Sequence, residues 1–296
     1  MPSLTRFLGW SAALVVTAFA VACSPGLDQP ERWTGFAVFG DMEPSPEPEF
    51  IGTQLAADAV GQVAAVAAIA DVVVGVGDIA HRGTDLQYAN VAPILQALPV
   101  PFVAIPGNEE AGDFERFLSE AASWNDDPST IPELHYVVPG ACFTLLFATA
   151  TVDGRELADG DVDWILQRLD EVTPRRAILV THGSLAGVFG VGGVKGIENP
   201  RFREEVLTHP ALALTVSGDL HLDVATYPGI ATTDAVVHLH APGLERTKHG
   251  DHAPRMRTVT TSCDGEIHIR TYDLQLGTFL VDLTWTFRAG APPELP

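Results

Sequence analysis

Short apolar runs and amphipathic stretches alternate along most of the chain, and their periods predict strands and helices in turn. Residues 35–39 form a continuous apolar run of strand length. Beyond the proline-rich turn Pro44-Ser45-Pro46-Glu47-Pro48, apolar residues return at helical spacing at Leu55, Ala59, Val63, Val66 and Ala70. A second strand follows at 71–76, dense in valine as a strand covered on both faces should be. A helix over 85–98, bent at Pro93, and a strand over 101–105 complete a βαβαβ series, which implies a parallel sheet.

The second half carries more strand. Residues 136–138 and 142–152 predict a hairpin turning at Pro139-Gly140, and 161–169 an amphipathic helix with Val162, Ile165 and Leu169 on its apolar face. Strands are predicted at 177–181 and 212–217, then at 235–240, 257–262, 266–272 and 279–287. Two sheets stacked face to face, with helices outside, accommodate that many strands in one domain.

Composition narrows the function classes. At 296 residues, 46% of them hydrophobic, the chain can bury a full core, which rules out a disordered protein. Its 38 acidic against 17 basic side chains give a formal charge of −21, and Lys195 and Lys248 are the only lysines. A nucleic-acid partner is excluded on that ground, because such binding needs clustered Lys and Arg. The acid excess reads as solubility rather than function.

The N-terminus reads as an address. Arg6 precedes an apolar run from Phe7 that ends in Ala20-Val21-Ala22-Cys23, which has the form of a secretory signal over 1–22 and is short for a membrane span. A cysteine straight after small residues resembles the bacterial lipobox, with Ala20 where leucine is usual. That implies lipidation at Cys23, a tether over 23–32, a domain over 33–288 and a tail over 289–296. Ser24 resembles the pattern for outer-membrane sorting, so the expected protein is an exported bacterial lipoprotein on the periplasmic or surface face, held to membrane by its lipid alone. An ordinary cleaved signal is the alternative. Cys142 and Cys263, in apolar or β-branched runs, either form a disulfide of an exported protein or stay as separate buried thiols.

Five short segments carry the chemistry: Phe39-Gly40-Asp41-Met42-Glu43, Gly77-Asp78, Gly107-Asn108-Glu109-Glu110, Thr181-His182-Gly183 and Gly218-Asp219-Leu220-His221. Each falls at or just past the carboxyl end of a predicted strand, the edge where ligands bind in α/β sheets. Gly-Asp and Gly-Asn are common turn dipeptides, so each segment alone is a weak signal and the ordered set is the strong one.

That set resembles the metal-binding signature of the calcineurin-like metallophosphoesterases, over roughly Trp33 to Phe287, with acidic residues at three positions where the family has histidine. Asp161-Val162-Asp163-Trp164-Ile165 is similar to the family's helix ahead of its histidine loop. The resemblance implies a four-layer αββα sandwich of two mixed β-sheets flanked by helices. By position it places Asp41, Glu43, Asp78 and His221 on one metal, and Asp78, Asn108, His182 and Asp219 on a second. Glu109 stands where the family has the histidine that contacts phosphate and assists the leaving group. Glu109 and Asp78 are therefore the expected catalytic residues, in an exported phosphoesterase that splits a small phosphate ester with a dinuclear centre and metal-bound water.

The substitutions alter that expectation. Carboxylates in place of imidazoles shift preference from zinc towards manganese, magnesium, calcium or iron. Two divalent ions against Asp41, Glu43, Asp78 and Asp219 leave no net charge, so a phosphate dianion is attracted less and a bound water is acidified less. An occupancy of one ion or none, in a catalytically impaired lipoprotein that binds or supports rather than turns over, is the alternative. His81 reads as a support beside the site or a loop stabiliser. His238 and His240 alternate on one strand and offer either a spare ligand pair or packed histidines. The stretch 187–196 is glycine-rich without the Gly-Lys-Ser/Thr ending of a phosphate-binding loop, and no Gly-x-Ser-x-Gly elbow is present.

Overall fold

In the computed structural model, residues 34–43, 66, 69–174, 176–191, 195–233, 236–244 and 254–291 are described. The signal segment, Cys23 with its tether, the predicted helix at Leu55, Ala59 and Val63, and residues 292–296 of the tail lie outside that set.

The valine-rich and apolar runs of the first half form β1 (Gly35–Phe39), β2 (Val72–Val76) and β3 (Phe102–Ile105), every residue of which is buried. They run parallel, with Phe36 opposite Val72 and Val73 opposite Phe102. A continuous apolar run suits a strand covered on both faces, and that is their position. Later strands complete the sheet: β10 (Arg255–Thr261), β11 (Glu266–Asp273) and β12 (Thr278–Arg288) follow one another antiparallel, and β10 pairs antiparallel with β1. The order across this sheet is β12-β11-β10-β1-β2-β3.

The second sheet has the order β4-β5-β6-β7-β9-β8. Its parallel centre is β5 (Thr144–Ala148), β6 (Ala177–Val180), β7 (Leu212–Ser217) and β9 (Val236–His240). The edges β4 (His135–Pro139) and β8 (Ile230–Thr233) are antiparallel to their neighbours. Period-2 alternation divides these strands between two cores. Leu145, Phe147, Ile178 and Val180 join the core that the first sheet also lines, while Leu146, Ala148 and Leu179 join the one beneath α3 (Asp159–Glu171), which contributes Val162, Ile165 and Leu169. The fold is an α/β sandwich of two mixed sheets. Its other described α-helices are α1 (Asp85–Gln96), with Pro93 inside it, and α2 (Phe114–Ala121).

Three departures from the sequence reading have local causes. The strand expected over 142–152 stops at Ala148, because the Thr149 and Thr151 N–H groups donate to the His135 ring and the Asp161 carboxylate rather than to a neighbouring strand. Helix α2 was not predicted; the Asp113 side chain caps it by accepting from the Arg116 N–H. Strand β8 was also not predicted, having only four residues, two of them threonine.

Cys142 and Cys263 are joined, with Cα atoms 4.7 Å apart. Cys142 precedes β5 and Cys263 follows β10, so the bond ties one sheet to the other at the edge where β1 and β5 begin. Among the described residues no helix is long and apolar enough to cross a membrane.

Candidate metal centre

The opposite edge, where the parallel strands end, gathers the motif residues. Asp41 and Glu43 follow β1, Asp78 follows β2, Asn108 follows β3, His182 follows β6, and Asp219 and His221 follow β7. Backbone bonds lock the loops together. Asp41 N–H donates to the Gly77 carbonyl at 3.2 Å, Glu43 N–H to Asp78 at 3.2 Å, and Gly218 N–H to His182 at 2.8 Å. Gly40 N–H donates to Pro242 at 3.0 Å, which stitches the exit of β1 to the exit of β9.

The turns that aim these side chains are strained. Among the described residues six that are not glycine have left-handed backbone: Asp41 (φ 48°), Glu43 (33°), Asp78 (49°), Arg82 (55°), Asp219 (67°) and His221 (47°). Five of the six are sequence-predicted ligands. Such a conformation costs an L-residue of order 1–3 kcal/mol and persists where the surroundings impose it, typically at functional sites. Glycine is required where the backbone approaches the ligands: a Cβ on Gly107 would fall on Oδ1 of Asp78.

Two buried clusters result, sharing Asp78. In the first, Asp41, Glu43, Asp78 and His221 offer ligand atoms all within 4.8 Å of one another. His221 Nε2 lies 3.2 Å from Asp41 Oδ1 and 3.5 Å from Glu43 Oε1. In the second, Asp78, His182 and Asp219 meet the same distance criterion. His182 Nε2 lies 3.4 Å from Asp78 Oδ1, 3.9 Å from Asp219 Oδ1 and 3.1 Å from the Asn108 side-chain oxygen. All seven predicted ligands are brought together.

Electrostatics show what the clusters lack. Burial drives the Asp41 carboxyl up to about 6, with Asp78 adding to the rise and His221 opposing it. Burial pulls the His182 imidazole down, but Asp78, Asp219 and Asp41 outweigh it and push it up to about 10. Neither oxygen of Asp41 accepts a hydrogen bond, nor does Asp219 Oδ2, although all three are buried. Buried carboxylates crowded together take up protons or gather cations, and a divalent ion among them satisfies several at once. The donor set therefore fits divalent ions.

Glu109 is at the rim, its side chain 23% exposed. Its Oε2 accepts from the Arg82 N–H at 2.9 Å and its Oε1 from the Asn108 amide at 3.3 Å, while its own N–H donates to Asp78 Oδ1 at 2.9 Å. Glu110 is fully inside and accepts from the N–H groups of Ala80 and Gly107 at 2.7 and 2.8 Å, so it ties the Asp78 loop to the Asn108 loop. Burial, then Asp78, lifts its carboxyl to about 8. His81 stands 3.4 Å from both Glu43 and Glu109. Its hydrogen bond with Glu43 raises its pKa against the pull of burial.

Of the two readings of His238 and His240, packing is the one the structure shows. His238 has Thr215 Oγ1 at 2.8 Å on Nδ1 and Thr233 Oγ1 at 2.6 Å on Nε2, which occupies both ring nitrogens. His240 is buried against the edge of Phe189, ring centroids 5.6 Å apart, and burial drives it down to about 3. Neither joins a ligand cluster among the described residues.

One functional residue escaped the sequence reading. Arg155, in the loop after β5, donates its Nε–H to Asp219 Oδ1 at 2.7 Å. Only the folded chain brings together these two positions, 64 residues apart. With His182, Arg155 and Lys195 nearby, Asp219 is held below the ordinary carboxylate value although burial pushes the other way.

No family model matches the sequence, and no curated protein does. Solved structures match the fold. The purple acid phosphatase PPD1 from yellow lupin (Lupinus luteus) seeds aligns at 15% identity and a TM-score of 0.62, over 87% of this chain and 54% of that one. GAP50, described as the anchor in the inner membrane complex of Plasmodium, aligns at 11% identity and a TM-score of 0.60, over 89% and 90%. The chain thus spans about half the length of the lupin structure. At these identities the likeness establishes the fold alone.

Proposed function

We propose that this chain, which has the calcineurin-like metallophosphoesterase fold, is a metal-dependent hydrolase of small phosphate esters. One observation carries the reading: Asp41, Glu43, Asp78 and His221 converge, buried, with neither Asp41 oxygen accepting a hydrogen bond. These four would hold a first divalent ion, and Asp78, Asn108, His182 and Asp219 a second. Divalent ions in such a setting supply Lewis acidity and positive charge towards a phosphoryl group. The carboxylate-rich set favours manganese, magnesium, calcium or iron over zinc.

The chain's own residues define the rest. His182 donates Nδ1–H to the Val76 carbonyl at 2.7 Å and so keeps Nε2 directed at Asp78 and Asn108. Glu109 accepts N–H donors on both oxygens, which fixes its carboxyl at the rim of the site, beside Asn108, where it would meet a bound ester. Four carboxylates around the ions leave little positive charge for a dianion, so a less charged ester such as a diester is the preferred substrate class. Purified protein assayed on p-nitrophenyl phosphate and bis-p-nitrophenyl phosphate with Mn²⁺, Mg²⁺, Ca²⁺ or Zn²⁺ tests this. Hydrolysis that Asp78→Asn abolishes is expected; no turnover with any of the four removes the enzymatic reading.

A second reading, a binding or structural protein without turnover, draws on one feature. Glu109 brings a carboxylate to the position where the family's histidine contacts phosphate. A neighbour with this fold, GAP50, is described as an anchor. Metal bound without hydrolysis in the same assay would select it.

Export and lipid anchoring at Cys23 belong to this proposal and rest on residues 6–24. Labelling with a radioactive fatty acid in a Gram-negative host tests them: label lost in Cys23→Ser supports the anchor, and an unlabelled wild type removes it.

A further inference from the structure

The two clusters differ in what they lack. In the first, neither Asp41 oxygen accepts a hydrogen bond, and Oδ1 has only the imidazole of His221, itself in the cluster, at 3.2 Å. In the second, the polar atoms largely have partners: Asp78 Oδ1 accepts from the Glu109 N–H, His182 Nε2 is 3.1 Å from Asn108, and Asp219 Oδ1 accepts from Arg155. That Asp219 oxygen is also the one within 4.0 Å of His182 Nε2, so it faces the second ion's position.

The Arg155 loop is built into the site. A Cβ on Gly154 (φ +83°) would stand 2.5 Å from the backbone of Asn108, so only glycine lets this loop lie against that one. Asp153 Oδ1 accepts from the N–H groups of Arg155 and Glu156 at 2.9 and 2.8 Å, and Glu156 in turn accepts from Glu198 N–H at 2.7 Å. The Arg155 side chain is 27% exposed, leaving a path by which it can leave the site.

We propose that Arg155 is the resident cation of the second metal position, holding Asp219 while that position has no ion, so that a second ion binds only in competition with the guanidinium. The inference rests on the metal-dependent reading above and deepens it. A dication and a guanidinium on the same carboxylate oxygen repel each other. The first ion, on Asp41, Glu43, Asp78 and His221, meets a weaker competitor, the His81 imidazole 3.4 Å from Glu43 Oε2, which can give up its proton as a guanidinium cannot. Occupancy of the second position then follows the concentration of free metal, while the first fills early.

Titration of the full chain with Mn²⁺, followed by calorimetry and by electron paramagnetic resonance, tests the assignment. One strong step and a second at least tenfold weaker are expected. Arg155→Ala and Arg155→Met should each tighten the second step about tenfold or more and leave the first unchanged, and exchange coupling between two ions sharing Asp78 should appear at correspondingly lower manganese. Arg155→Lys, which keeps a charge, should keep the second step weak. Wild type and variants that titrate alike would overturn the proposal. So would weaker second binding in the variants, which would make Arg155 a support for Asp219 rather than its competitor. Absence of any binding in wild type and variants alike would remove the metal-dependent reading itself, a result distinct from both.

Discussion

Nδ1 of His182 donates to the carbonyl oxygen of Val76 at 2.7 Å, so the last residue of β2 fixes the ring that faces the ligand two positions beyond it. Backbone and ligand are thereby set by one strand. Altering the surroundings of a ligating histidine already lowers metal affinity about 10–100-fold. His182→Ala should therefore weaken the second ion on the order of 100-fold or more and leave the first within a factor of a few. Calorimetric titration reads both, and an equal loss at both steps would show that the clusters are not separable.

Metal removal should be visible as lost stability. An ion that binds only the folded chain and is present at a hundred times its dissociation constant stabilises by about 2.7 kcal/mol, which for a domain of this size is roughly 5–10 °C in Tm. Melting curves with Mn²⁺ and after chelation should differ by that order. In Asp78→Asn the difference should shrink to a few degrees, since both clusters use that carboxylate.

Acid should destabilise the protein through His238. Burial lowers its folded value to about 4 from the ordinary 6.5. The unfolded chain therefore takes up a proton as pH falls below 6.5, and the folded one resists until about 4. Stability that is complete above pH 6.5 is lost across that interval, by about 3 kcal/mol in total. Urea unfolding at pH 7 and pH 5 should show a smaller difference for His238→Gln, whose amide can still meet Thr215 and Thr233. An unchanged difference would assign the acid sensitivity to other groups.

Reduction should also loosen the sandwich. The Cys142–Cys263 bond spans 121 positions, and a loop of that length corresponds to about 4–5 kcal/mol in the chain-entropy view. Tm should fall by roughly 10 °C or more with reductant, and the Cys142→Ala/Cys263→Ala double variant should melt at one temperature with or without it.

The parallel strands were legible because a strand buried on both faces needs an unbroken apolar run, and Val72–Val76 supplies one. The ligands were legible because each lies just past such a run. Strand β8 was not, since four residues are too few for alternation to show and its pairing with β9 fixes it. Helix α2 was hidden by its mixture of charged and aromatic residues, with Asp113 the one local clue. Which of its two readings His238 takes was not legible, because the two threonines that occupy its ring come from β7 and β8, and their register appears only in the folded sheet. Arg155 carries no local signature at all. Its meaning depends on a glycine that lets its loop touch Asn108 and on a carboxylate from β7's exit.

The left-handed turns at Asp41, Glu43, Asp78, Asp219 and His221 also bear on how such a site survives in evolution. Each places an L-residue where glycine would be more comfortable, and four of the five bring a carboxylate into a crowded, dry place. Replacing any of them with glycine relieves backbone strain, and at the four carboxylates it relieves charge repulsion as well. Drift under selection for folding alone would shed these side chains early. Carrying all five therefore costs stability, which an ion bound among them would return.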